Sequence, residues 1–392
     1  MTFRSGRHFL QVPGPSNVPD RVLRAIDRPT IDHRGPDFPL LAKRVFAGLR
    51  KVFQTSSHVF VFPASGSGGW EAALVNTLSP GDRVLLYENG FFAANWGKVA
   101  RRMGLDVEVM QGDWRRGVDS SRLETRLSED RKHEIQAVLV VHNETSTGVS
   151  SPIDRVRQAL ESANHPALLM VDAVSSLGAI DCRHDEWGVD VTVSSSQKGL
   201  MLPPGLSLNA VSQKALHASK KARLPRSFWD WKDMQEQNQQ GYFPYTPSTN
   251  LLYGLDEALK MLQEEGLERV FARHRRLAEA TRRALQGWGL EIFAEQPSER
   301  SDTVTTVLMP DEKGADRLRQ IILERFDLSL GTGLGPLKDR VFRIGHLGSF
   351  NELMLAGTLC GVEMGLAAAG LPHRPGGVVA ALQFLQEDPS AE

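Results

Sequence analysis

Cysteine is scarce in this chain: Cys182 and Cys360 are the only two among 392 residues. Two thiols so far apart in sequence do not make a disulfide framework, and a reducing compartment is expected. Long apolar runs are missing too. Nothing is long enough to span a bilayer, and the opening Met1–Pro19 stretch lacks the apolar core of a signal peptide. The chain ends Pro389-Ser390-Ala391-Glu392, which is not a peroxisomal address of the Ser-Lys-Leu type. A cytoplasmic protein is therefore expected. Nor is there a surplus of one charge. Lys and Arg total 46 against 47 Asp and Glu, a formal charge of −1. No global field draws the chain to nucleic acid or to an anionic membrane, and neither is expected as a partner. Local basic clusters, Lys220-Lys221-Ala222-Arg223 and Arg273–Arg276, read as solvated surface. His142 and His184 form no metal-ligand spacing with each other or with a cysteine, so no metal is expected. There is no internal repeat and no low-complexity segment.

What is present is an alternation of short apolar runs and helix-like segments between residues 58 and 210. The runs are His58–Phe62, Arg83–Tyr87, Asp106–Met110, Ile135–Val141, Ala167–Val171, Val189–Ser194 and Leu206–Val211. Between them, Trp70–Leu78, Phe92–Met103 and Ile153–Ala163 carry apolar residues near helical spacing. Buried parallel strands read as continuous apolar runs, and each parallel crossover needs a helix, so an α/β fold with a mostly parallel sheet is predicted. Residues 228–250, rich in aromatic, Gln, Asn and Pro residues, read as a long ordered loop. Two helices follow, Leu251–Gly266 and Leu267–Gln286, with His274 on the apolar stripe of the second as a packing residue. The run Leu290–Phe293, Thr303–Met309, helix Ala315–Arg325, Leu328–Leu330, Arg340–Ile344 and helix Asn351–Ala369 predicts a smaller α+β domain. The division falls near residue 260: a large domain over 1–260 and a small one over 261–392.

Asp172 and Lys198-Gly199 each follow an apolar strand, at the carboxyl end where open α/β sheets place their ligand crevice. Singly, an acid or a lysine after a strand is more often a solvated loop residue. Together, an amine and a carboxylate suit pyridoxal phosphate, which takes a lysine as an imine and a carboxylate at its ring nitrogen. Pro63-Ala64-Ser65-Gly66-Ser67-Gly68-Gly69-Trp70 joins a strand to a helix expected to start near Trp70. Glycines there let backbone N–H groups approach a phosphate, whereas a flexible turn with a capping serine would explain any one Ser-Gly pair. The stretch is neither a Walker A loop nor a GxGxxG fingerprint.

Six segments in one order carry a resemblance: Ser65–Gly69, Asn89-Gly90-Phe91-Phe92, His142–Gly148, Val171–Ser176, Ser196-Gln197-Lys198-Gly199 with Pro203-Pro204-Gly205, and Phe342–Gly348. Over about Gly14 to Gly365, the sequence resembles the alanine/serine–glyoxylate aminotransferases of the class V pyridoxal-phosphate enzymes. The resemblance implies the type I fold of those enzymes and pyridoxal 5′-phosphate as cofactor. It implies Lys198 as the Schiff-base lysine and proton carrier, and Asp172 as partner of the pyridinium nitrogen. Val174 and Phe92 would pack on the ring, and Thr145 would bond near the ring hydroxyl. Ser67, Gly68, Gly69 and Gln197 would hold the phosphate, and Arg343 would clamp the substrate carboxylate, a task suited to a planar charged fork.

The resemblance also implies a homodimer with shared active sites. Gly241-Tyr242-Phe243-Pro244-Tyr245-Thr246 would reach the partner's phosphate, with Thr246 matching the family and Phe243 standing where it has a tyrosine. The segments around Gly14 and Arg34 would lie near the substrate, the second crossing the dimer, where Arg34 would select the amino donor. The expected reaction is transamination of glyoxylate to glycine by a small amino acid, serine first, then aspartate or alanine. Cysteine desulfuration is a rival, but it needs a nucleophilic cysteine on a mobile loop. Cys182 follows the Asp172 strand on a polar segment, and Cys360 falls in an expected core helix. A phosphoserine transaminase and a catalytically silent homologue are further rivals.

Overall fold

A computed structural model describes residues 5–310 and 314–387. The terminal Pro389–Glu392 lies outside them. In chain order the elements are β1 (Phe9–Gln11), α1 (Asp20–Ile26), α2 (Phe38–Phe53), β2 (His58–Phe62), α3 (Gly66–Thr77), β3 (Arg83–Glu88), α4 (Phe91–Arg102), β4 (Asp106–Gln111), α5 (Ser120–Glu129) and β5 (Ile135–Val141). A short hairpin, β6 (Asn143–Glu144) and β7 (Val149–Ser150), leads to α6 (Ile153–Ser162), β8 (Leu168–Asp172), β9 (Val191–Ser195) and β10 (Ser207–Val211). Helices α7 (Gln213–Ser219), α8 (Trp231–Asn238), α9 (Thr249–Glu265) and α10 (Leu267–Trp288) follow. The chain closes with β11 (Glu291–Ile292), β12 (Val304–Leu308), α11 (Ala315–Phe326), β13 (Leu328–Thr332), β14 (Val341–Gly345), α12 (Glu352–Ala368) and α13 (Gly377–Gln386).

The seven apolar runs form one sheet in the order β2-β10-β9-β8-β5-β3-β4. Every pairing among β9, β8, β5, β3 and β4 is parallel, and β10 runs antiparallel to both its neighbours. Strands β5 and β8–β10 are buried almost end to end, as a sheet covered on both faces requires. One apolar cluster lies under α2 and α9, another under α3 and α4, and a third between the sheet and α5 and α6. A second sheet, β1-β13-β14-β12-β11, packs against α10–α13. The architecture is thus α/β with a mostly parallel large sheet and a smaller α+β unit.

The structure departs from the expected division in an instructive way. Residue 260 lies within α9, whose Leu259 and Leu262 pack in the large core. The core changes within α10 instead: Val270 and Phe271 belong to the large cluster, Leu277 onward to the small one. The N-terminal strand β1, moreover, pairs in parallel with β13 of the small sheet. Two readings of burial are also revised. Arg273 is not simply solvated, because it binds Glu265 and the carbonyls of Gly348 and Phe350. Cys360 sits on α12 as expected, but is exposed. His274 is buried, with Nδ1 on the Val270 carbonyl and Nε2 accepting the Gly348 N–H, so it holds a turn as well as filling space.

Candidate active site

The carboxyl ends of β5, β8 and β9, with the start of α3, enclose one cleft of about 590 Å³, part of it open to solvent. Ser65, Gly66, Ser67, Trp70, Phe92, Val141, Asn143, Thr145, Asp172, Val174, Gln197 and Lys198 line it. Asp172 is the last residue of β8, held between β5 and β9 by register pairs with Val141 and Val193. Lys198 follows β9 in a turn. The expected amine and acid therefore share one cavity.

Both are buried, and burial sets their chemistry. Desolvation pushes the Asp172 carboxyl up to about 7. The Val174 amide N–H at 2.7 Å and the Trp70 indole N–H at 2.9 Å oppose that push, while nearby Glu144 adds to it. Burial lowers Lys198 to about 8; the Arg343 charge acts the same way and Asp172 resists. Its Nζ donates to the Pro13 carbonyl at 2.5 Å. Gly14 sits against the same amine, where a Cβ would collide with the lysine, and at φ +99° its backbone favours glycine. Gly14 thus backs the lysine that lines the cleft and does not line it itself.

The helix start is revised. Helix α3 begins at Gly66, not near Trp70, with Ser65 as its N-cap. Gly68 and Gly69 therefore lie in its first turn and spend their N–H groups on the Ser65 carbonyl, at 3.0 and 3.3 Å. Neither lines the cleft. Gly69 instead lets α3 approach the sheet, since a Cβ there would stand 2.7 Å from Val193. Among the phosphate candidates, Ser67 and Gln197 are on the cavity wall, joined by Ser65 and Gly66.

Arg343 lies in β14 of the small sheet, 6% exposed. Its Nε donates to the Thr332 carbonyl and Nη1 to the Thr145 carbonyl, each at 2.8 Å. These neutral partners orient the guanidinium without neutralising it. Burial lowers it to about 10, against the pull of Glu144, so it stays charged at neutral pH. Thr145 donates its hydroxyl to Ser175 at 2.7 Å.

Glu144 belongs to the quoted motif, but residue patterns give it no role. Fully buried, it accepts the Phe92 and Ala93 N–H groups through Oε2, and the Ser146 N–H and hydroxyl through Oε1. It thereby staples the start of α4, which carries Phe92, to the loop carrying Thr145. Gly90 is a signal of this packing, since a Cβ there would strike the Glu144 side chain.

The rim residues do not join the cleft within one chain. Arg34 and Thr246 are exposed. The Phe243 ring packs on Phe38 and Phe46, each 5.8 Å away by centroids. Tyr245 stacks on Phe228 at 4.8 Å, with its hydroxyl 3.2 Å from that of Ser227. Cys182 is buried, which pushes its thiol up to about 12 and leaves it unreactive.

A mostly parallel sheet with a buried lysine and acid in one cleft at its strand ends defines an α/β enzyme of amine chemistry. A family model for class V aminotransferases matches residues 8–333, and the chain belongs to that family. The serine–glyoxylate aminotransferase of Methylorubrum extorquens is 50% identical over 398 residues, covering 100% of this chain and 99% of that one. The L-aspartate–glyoxylate aminotransferase of Paracoccus denitrificans is 47% identical, covering 95% and 94%. Among solved structures, pyridoxamine–pyruvate aminotransferase from Mesorhizobium loti superposes with a TM-score of 0.91 at 29% identity, covering 98% of this chain and 99% of that one. This protein is an aminotransferase.

Proposed function

We propose that the chain uses pyridoxal 5′-phosphate to convert glyoxylate to glycine with a small L-amino acid donor, serine first and aspartate or alanine as alternatives. The observation that carries the reading is the pairing of Lys198 and Asp172, both buried, on the walls of one cleft. The residues fit the cofactor. Ser67 and Gln197 bring a hydroxyl and a side-chain amide NH2, both donors, to the cleft wall, and the start of α3 at Ser65–Ser67 offers unspent N–H groups to an anion. Phe92 and Val174 would press on the ring, Thr145 would stand beside it, and Asp172 would hold its nitrogen.

Bound there, the cofactor supplies an aldehyde carbon and a ring that withdraws electrons from the substrate Cα. Lys198, lowered to about 8, has a neutral fraction at neutral pH and can take and return a proton. Pro13 and Gly14 restrict where its amine can stand. Arg343 would grip the substrate carboxylate with a fork already held by two carbonyls, so little freedom is lost on binding. Glyoxylate as acceptor is supported by the relatives of 50% and 47% identity, both named for it. Their names divide on the donor. Arg34 would make that choice, entering the site from a second subunit, as would Thr246; a homodimer is proposed on that basis. No described helix is long and apolar enough to cross a membrane, and a cytoplasmic setting is proposed.

The test is direct. Borohydride reduction of the purified protein should label Lys198, and glyoxylate with serine should yield glycine. An absent label, a label on another lysine, or no glycine with serine, aspartate or alanine would overturn the reading.

A further inference from the structure

Trp70 stands in the second turn of α3 with its indole N–H aimed at Asp172 Oδ2, at 2.9 Å. Both residues are 4% exposed. The other carboxylate oxygen, Oδ1, accepts the Val174 N–H at 2.7 Å. Each oxygen thus has one protein donor, in two different directions, which fixes the plane of the carboxylate. The indole is itself held by Trp96, stacked at 5.8 Å between centroids and 13° between planes, with Trp96 fully buried. The charged groups facing Asp172 are Glu144 and Lys198, one on each side of the balance. No lysine or arginine forms an ion pair with Asp172 among the described ion pairs. Against the burial that favours the neutral acid, its charged form is supported by these two hydrogen bonds and by Lys198, and of the two bonds only the indole's comes from a side chain.

We propose that Trp70 is a positioning residue for Asp172: its indole N–H orients the carboxylate and keeps its charge available to the ring nitrogen of the bound cofactor. The inference rests on the pyridoxal-phosphate reading above. A donor to an ionised acceptor in a dry site is worth more than one to a neutral group. Removing it favours the neutral acid, which cannot keep a ring nitrogen protonated.

The experiment is a double-mutant cycle on the holoenzyme with Trp70→Phe and Asp172→Asn. It reads cofactor affinity and the pH midpoint of the bound cofactor's visible band, besides kcat. Trp70→Phe alone should weaken affinity and kcat by roughly tenfold and move the midpoint. In the Asp172→Asn background it should change each by less than about twofold. Equal losses in both backgrounds would mean that the indole only fills space, and the proposal would fall. Trp96→Phe is the packing control, since it loosens the stack and leaves the N–H; reproducing the Trp70→Phe midpoint shift would overturn the proposal too. Should Trp70→Phe not fold, the wild-type indole resonances serve. One of them must titrate with Asp172 and lose that titration in Asp172→Asn, and its absence would reject the bond. Borohydride labelling separates the two failures: label on Lys198 with an additive cycle sinks this inference alone.

Discussion

The floor and the rim of the cleft are built differently. Asp172 ends β8 and Lys198 follows β9 of the large sheet, while Thr145 follows β6 of the short hairpin; all three are buried and have hydrogen-bond partners in the same chain. Arg34 and Thr246 are exposed and do not line that cleft. Groups that must hold a reacting atom stand on rigid elements. Arg34 and Thr246, proposed for the donor and for the phosphate, stand outside helices and strands, where changes cost the fold little.

The contrast can be broken by substitution. Lys198→Ala should lower kcat by about 10³-fold or more without unfolding the protein, because a general base is lost; single-turnover rates check this, and retention of more than a tenth of the activity would deny the floor its role. Next, Arg343→Lys should raise KM for the amino donor by about 10- to 100-fold, since an ammonium cannot form the bidentate clamp. Steady-state kinetics with the cofactor saturating isolates that effect. At the rim, Arg34→Ala should change the ratio of kcat/KM between aspartate and serine by roughly tenfold while leaving borohydride labelling of Lys198 intact. An unchanged ratio would remove the rim from donor choice. Thr246→Ala should weaken cofactor binding by about tenfold at most, the worth of one hydrogen bond to a charged phosphate from an exposed residue.

A final prediction concerns two buried histidines near the end of β14. Burial lowers His274 and His346 to about 3, and both use their two ring nitrogens in neutral form. Unfolded histidines titrate near about 6.5. Above that pH neither state binds the proton; below it the unfolded chain does and the native one does not. Stability should therefore fall from about pH 6.5 towards 3, by up to about 1.4 kcal/mol per pH unit for each such histidine. Because Asp172, raised to about 7, acts in the opposite sense over this window, the change in Tm between pH 7 and pH 5 is compared between the wild type and His346→Gln, and an equal change in both would contradict the neutral assignment.

The floor was legible because its signals are local. Asp172 and Lys198 each come shortly after an apolar run, and such runs have one interpretation when helices separate them. The start of α3 was not legible: four residues, three of them glycine, have poor helix propensity, and tertiary contact with Val174 and Val193 overrides it. Glu144 and Trp70 escaped for another reason. A buried glutamate with four donors and an indole on a carboxylate are pairings across the fold that no spacing reveals. Helix α2 does carry a stripe, Leu41, Val45, Leu49 and Val52, whereas the three-residue β1 finds its partner only in the folded chain.

That first strand has a practical consequence. Because β1 is sewn into the small sheet beside β13, and Gly345 of β14 packs on the Val12 carbonyl, the peptide that touches the Lys198 amine is anchored to the sheet that bears Arg343. Trimming the leading dozen residues, as one might to tidy an expression clone, would strip an edge from a sheet and release the collar around the reactive nitrogen in a single cut.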